Sequence, residues 1–149
     1  MELRQVFDDL VRFETDLWNA IDARLRRDGE VPLGSLNVML VVERTPDCRV
    51  NDIAAALSIT IGGASQAVDR LEKRELCARQ PNPNDRRSSI VRLTAEGARL
   101  TRSAARLFDA ELAARLAAPL SEPELAAFAS ALTALRAAGP GTAGTGNTP

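Results

Sequence analysis

Residues 57–93, LSITIGGASQAVDRLEKRELCARQPNPNDRRSSIVRL, constrain the fold more than any other stretch, because their period changes once along the way. Ile61, Ala64, Val68 and Leu71 recur at steps of three and four, which predicts one helix with those residues on its buried face. Ser65, Gln66, Asp69, Arg70 and Lys73 fall on the opposite face and can all hydrogen-bond. Thr60 precedes the run and can cap it by accepting from an N–H of the next turn. Gly62 and Gly63 weaken that first turn by about 1 kcal/mol each relative to alanine, a cost that fits close approach of another backbone or simple tolerance of glycine. Beyond Leu76, residues 78–81 and 89–93 are short segments flanking PNPNDRR, whose prolines and asparagines signal a turn. The prediction there is a two-stranded ribbon with a polar, flexible, cationic tip at Asp85, Arg86 and Arg87.

Charge singles out the same stretch. From Asp69 to Arg92 there are seven bases (Arg70, Lys73, Arg74, Arg79, Arg86, Arg87, Arg92) and four acids (Asp69, Glu72, Glu75, Asp85), a local +3 in a chain of net charge −1. A positive patch on a mildly acidic protein is a footprint aimed at a polyanion. A helix followed by a basic hairpin is the outline of a winged helix-turn-helix.

The rest of the chain supplies helices around this centre. Residues 1–27 form a long amphipathic pattern through Leu3, Val6, Phe7, Leu10, Leu17, Ile21 and Leu25, widened by Val11, Phe13 and Trp18. That stripe exceeds what one small core requires, so part of it is expected to face a second chain. Arg26, Arg27 and Gly29 mark its end, with the glycine expected as a left-handed stop. Residues 35–43 are apolar nearly all round and predict a buried central helix. Thr45, Pro46 and Asp47 read as a turn, and Asn51 as the cap of a short helix over 52–57, the first of the helix-turn-helix pair. Thr94 is expected to cap a helix over 95–117 that Pro119 breaks, and Ser121 with Glu124 fits a capping box for a last helix reaching Ala138. GPGTAGTGNTP, from Gly139 onward, reads as a disordered tail.

With 149 residues the default is a single domain, here 1–138. The helices at 1–27 and 95–138 flank a lobe at about 35–93, whose basic helix and hairpin are expected to bind DNA. No apolar run reaches the length of a membrane span. The charged N-terminus MELRQVFDD does not read as a signal peptide, so a cytoplasmic protein without membrane contact is expected. Histidine and tyrosine are absent and the cysteines are two, Cys48 and Cys77. Without histidine the commonest general base is missing and a zinc site lacks ligands. No enzyme, cofactor or metal is therefore expected.

Several of these residues together resemble the MarR (multiple antibiotic resistance regulator) family of transcription regulators. They are Leu57-Ser58, the GxxSxxVDRLE run from Gly62 to Glu72, the PNPNDRR wing from Pro81 to Arg87, and Leu93-Thr94 opening the next helix. The resemblance implies a mainly α fold with a small β-hairpin wing, whose terminal helices interlock into a homodimer. It also implies a regulator, most often a repressor, that binds pseudo-palindromic double-stranded DNA. The recognition helix would enter the major groove and the wing the flanking minor groove.

On that reading Ser65 and Gln66 are candidate base or phosphate contacts, although relatives often carry arginine at the Gln66 position. Thr60, Arg70 and Lys73 are candidate phosphate contacts, Arg86 is the candidate minor-groove residue with Arg87 a phosphate or bracing partner, and Asp85 holds the wing tip. Asp69, a poor neighbour for phosphate, is expected to pair with an arginine of the wing or a helix. Many relatives take a small, often aromatic or anionic effector, for which Trp18, Leu36 and Met39 are candidate walls, though such residues are more often simply core. Some relatives sense oxidants through cysteine. Here Cys77, near Lys73, Arg74 and Arg79, is the better redox candidate, with buried structural thiols as the plainer alternative. The rival from another class is a winged-helix module that offers its basic face to an acidic protein.

Overall fold

The computed structural model describes residues 1–139. The expected tail therefore lies, beyond Gly139, outside the described residues. The chain divides into two compact units, one ending at Glu111 and a second beginning at Leu112.

In the first unit the elements run α1 (Leu3–Asp28), α2 (Leu33–Arg44), α3 (Val50–Leu57), α4 (Ile61–Lys73), β1 (Cys77–Pro81), β2 (Ser89–Leu93) and α5 (Ala95–Leu112). The core forms where the helical stripes meet. Leu25 of α1, Leu36 and Met39 of α2, Ile53 of α3, Val68 and Leu71 of α4 and Val91 of β2 are all essentially inaccessible. Burying each such side chain contributes about 1.5–3 kcal/mol. As its composition predicts, α2 is the central helix, with six of its residues buried. By contrast, α1 buries only Ile21 and Leu25 near its C-terminal end.

Where one helix hands over to the next, local chemistry decides. Helix α3 begins two residues before the expected start. Asn51 does not cap it; the Asp52 carboxylate accepts from the Arg49 N–H at 2.8 Å and closes the turn from inside. Thr60 does cap α4, its hydroxyl accepting from Gly63 N–H at 3.0 Å. Likewise Thr94 Oγ1 accepts from Gly97 N–H at 3.0 Å at the start of α5. Gly97 itself is forced: a Cβ there would stand 1.9 Å from the Leu76 carbonyl oxygen. The stop after α1 differs from expectation. Gly29 has φ −107°, and the left-handed residue is Glu30, at φ 59°. A Cβ at 29 would crowd the Leu25 carbonyl at 3.0 Å and Leu107 Cδ1 at 3.2 Å, so glycine is the easiest fit there.

β1 and β2 pair antiparallel, with Cys77 opposite Leu93, Arg79 opposite Val91 and Pro81 opposite Ser89. On its other edge β2 donates from Val91 N–H to the Cys48 carbonyl at 2.7 Å, which ties the hairpin to the turn before α3. Residues 82–88 are held by their own bonds. Asn82 Oδ1 accepts from Asn84 N–H at 3.0 Å and Asp85 Oδ1 from Arg87 N–H at 2.9 Å, while Asn82 Nδ2 donates to Ser88 Oγ at 3.1 Å. Asp85 thus accepts a hydrogen bond from within the tip.

The second unit starts with a π-helical turn, Ala113–Ala117, where a regular helix was expected to run on, followed by α6 (Glu122–Ala137). Ser121 and Glu124 close the start of α6: Ser121 N–H and hydroxyl both donate to the Glu124 carboxylate, at 2.8 and 2.7 Å. Helix α6 packs on the π turn but buries none of its residues, and Leu132 and Leu135 are exposed.

Candidate nucleic-acid interface

The seven bases predicted as a patch divide by what they bind. Arg79, at the start of the hairpin, points back at α4. Its Nη1 donates to Asp69 at 2.7 Å and also to Glu72, and its Nη2 donates to the Ser65 hydroxyl at 3.2 Å and carbonyl at 3.3 Å. Burial works against its charge, but the bonds to the two carboxylates outweigh that and hold Arg79 more firmly protonated than a free arginine. The arginine expected to pair with Asp69 is thus Arg79. Arg92 donates to Gln80 at 3.0 Å and to Asp47 at 2.8 Å, and Arg74 donates to the Glu30 carbonyl at 2.7 Å. These three arginines are structural.

Arg70, Lys73, Arg86 and Arg87 remain. All four are exposed, and none makes an ion pair or side-chain hydrogen bond among the described residues. Two sit on α4 and two on the wing tip. Gln66 and Thr60 are exposed at the front of the same helix. Between α4 and the wing lies a cleft of about 410 Å³ lined by Ile61, Ser65, Arg79, Arg87, Ser88 and Arg49, among others. Ser65 and Arg87 of the predicted set meet there.

Ile61 was expected on the buried face of α4 and is not. It is the first residue of the helix, core contact begins one turn later at Ala64, and the side chain is 57% exposed at the cleft. Arg49, also in the cleft, was not singled out from sequence; only its place just before α3 could have drawn notice.

The candidate effector walls do not come together within the chain. Leu36 and Met39 are fully buried core, whereas Trp18 is 43% exposed and lines a shallow depression with Glu14, Thr15 and Asn19. The redox candidate fares no better. Cys77 is 3% exposed, and burial, followed by the nearby Glu72 and Cys48, lifts its thiol to about 11 against an opposing pull from Arg79. Basic neighbours in sequence do not activate this thiol, because Lys73 and Arg74 face outward and Arg79 is spent on carboxylates. Cys48 is 1% exposed, and burial raises its thiol too. Among the described residues no cluster of His, Cys, Asp or Glu is arranged to hold a metal ion, and no helix is long and apolar enough to cross a membrane.

A helix pair whose second member stands beside a hairpin, with unpaired cations on both, defines a winged helix-turn-helix protein. The MarR family model matches residues 32–89, the span from the foot of α2 to the start of β2. Curated relatives agree. The Escherichia coli (strain K12) multiple antibiotic resistance protein MarR is 32% identical over 75 residues, covering 50% of this chain and 52% of that protein. The HTH-type transcriptional regulator BilQ of Clostridium symbiosum (strain WAL-14163) is 27% identical over 96 residues, covering 64% of this chain and 66% of that protein. The match thus spans between about half and two thirds of these relatives' lengths. Sco3205 of Streptomyces coelicolor, a MarR family regulator solved in complex with DNA, superposes with a TM-score of 0.86 at 22% identity, covering 98% of this chain and 93% of that one. Residues 32–89 thus match the MarR family model, and the chain shares the fold of a solved MarR family regulator.

Proposed function

We propose that the protein is a transcription regulator that binds double-stranded DNA as a homodimer. The observation that carries this reading is the division of the cations. Arg74, Arg79 and Arg92 hold the fold, whereas Arg70, Lys73, Arg86 and Arg87 are exposed with no partner among the described residues. Desolvated phosphate is the partner such residues fit, and each contact would release a counterion. Helix α4 enters the major groove, where Ser65 and Gln66 reach base edges, Gln66 being able to pair bidentately with adenine. Arg70, Lys73, Arg87 and the Thr60 hydroxyl touch phosphates. Asp85 shapes the tip that carries Arg86 into the flanking minor groove, where narrow A·T tracts concentrate negative potential.

Dimerisation rests on the apolar surface left at both ends of the chain: Leu3, Phe7 and Leu10 on α1, Leu132 and Leu135 on α6. Two-fold symmetry then sets two half-sites about 10 bp apart. The regulator acts as a repressor, released when a small aromatic or anionic effector changes the spacing of the two lobes. Among the described residues Leu36 and Met39 are core and only Trp18 is exposed, and in this reading the partner's helices complete the site.

The test is binding of the purified protein to the DNA upstream of its own coding region at several salt concentrations, beside an Arg86→Ala variant. Binding that weakens steeply with salt and is lost in the variant is the expected result. Absence of binding at low salt, with the variant indistinguishable from wild type, would leave the basic face to an acidic protein partner instead.

A further inference from the structure

Ile61 and Ser65 are four residues apart on α4 and so neighbours on one face of the helix, and both line the cleft toward the wing. Their chemistry is complementary and fixed by the structure. Ile61 offers a bare apolar side chain, 57% exposed, on a helix face whose every other exposed side chain from Ser65 to Lys73 is polar or charged, save Ala67 at its margin. A Cβ added to the adjacent Gly62 would meet nothing within 4 Å, so the surface beside Ile61 is open to approach. Ser65 would ordinarily be ambiguous, since a hydroxyl both donates and accepts. Here Arg79 Nη2 donates to its oxygen at 3.2 Å, and no described residue takes its proton. One lone pair of the hydroxyl is thereby taken from behind, and its proton is left free to donate outward.

An apolar group beside a hydrogen-bond donor matches one base edge in the major groove. Thymine presents its C5-methyl next to the O4 acceptor; cytosine presents a donor in place of O4, and neither purine carries a methyl. We propose that Ile61 and Ser65 together read one thymine in each half-site, Ile61 covering the methyl and Ser65 donating to O4. This rests on the DNA-binding reading above and adds a specificity to it. Arg79 acts in it as a positioning residue, since it holds the Ser65 oxygen from the wing side and leaves the proton free.

The test uses duplexes selected by the purified protein from a random pool. In the selected site each thymine is replaced, symmetrically in both half-sites, by uracil, which loses the methyl and keeps O4. In a second series the T·A pair becomes 5-methylcytosine·guanine, which keeps the methyl and turns the acceptor into a donor. At one position uracil should weaken wild-type binding by about fourfold per half-site, the worth of one buried methyl group. Ile61→Ala should bind the thymine and uracil duplexes equally. Ser65→Ala should keep the uracil effect and lose the preference for thymine over 5-methylcytosine at that position. Uracil without effect at every position, or an equal loss in wild type and Ile61→Ala, overturns the assignment while leaving DNA binding intact. Failure to select any duplex overturns the regulator reading itself.

Discussion

At the start of β1 the Cys77 thiol is enclosed by the core, and its raised pKa has a consequence for stability. Its ordinary value of 9.0 becomes about 11 in the folded chain, chiefly through burial. Below pH 9 both folded and unfolded chains keep the proton. As pH rises from 9 toward 11 the unfolded chain releases it and the folded chain does not, so stability falls, by up to about 2–3 kcal/mol in all. Cys48, also raised by burial, works in the same direction. The chain is well suited to the measurement, because it has no tyrosine and Lys73 is its only lysine. Urea unfolding between pH 8 and pH 11 should therefore show a stability slope that Cys77→Ala makes visibly shallower. An unchanged slope would mean that the thiol is not held protonated by burial. Residue-scale facts of this kind were the least legible in the sequence. The basic residues around Cys77 left an activated thiol open beside the plainer buried one, and only the packing reveals that they look elsewhere. In the same way Gly29 suggested a left-handed stop, but the demand on that glycine comes from Leu25 and Leu107, the latter nearly eighty positions away along the chain.

Helix α4 and the wing are joined by Arg79, which reaches from β1 to Asp69, Glu72 and Ser65. The two carboxylates are one turn apart on α4 and repel each other unless a cation stands between them. Arg79→Met keeps much of the apolar stem and removes the charge. It should cost about 1 kcal/mol, a value kept modest by the solvent around Asp69. The difference between variant and wild type should shrink in high salt, and hydrogen exchange of the β1–β2 amides should quicken in the variant. Equal exchange in the two proteins would show that Arg79 does not brace the wing. Elements whose bonds are local could be read directly from sequence: the Thr60 and Thr94 caps, the Ser121–Glu124 closure and the Asp85 turn, whereas α2 begins two residues earlier and ends one later than expected. The role of Arg79 could not be read that way. Seven bases look alike along the chain, and which of them turns inward depends on how the hairpin folds back over the helix.

For the whole molecule the decisive quantity is apolar surface. Leu3, Phe7 and Leu10 recur along one face of α1 and are 78%, 63% and 43% exposed, and Val6, Val11 and Phe13 extend the patch. A contiguous patch of this kind on a lone chain would drive association. A second copy is the occupant proposed above, since the same surface on both chains can close a two-fold interface. Replacing Phe7 and Leu10 together by glutamate should convert the dimer to a monomer in sedimentation equilibrium. The helical content of the remainder should be retained, because neither side chain belongs to the core. DNA binding should then fall by about 10²–10⁴-fold, as two linked contacts become one. The salt dependence carries the same information independently. Each chain offers Arg70, Lys73 and Arg87 to phosphates, so a dimer neutralising roughly six phosphates should give a slope of log affinity against log salt near −5, and the monomer about half of that. The net charge of −1 per chain supplies no general attraction to DNA, so the slope reports these contacts rather than an overall basic field. A variant that stays dimeric would place the interface elsewhere, and a wild-type chain that is monomeric at micromolar concentration would overturn the homodimer.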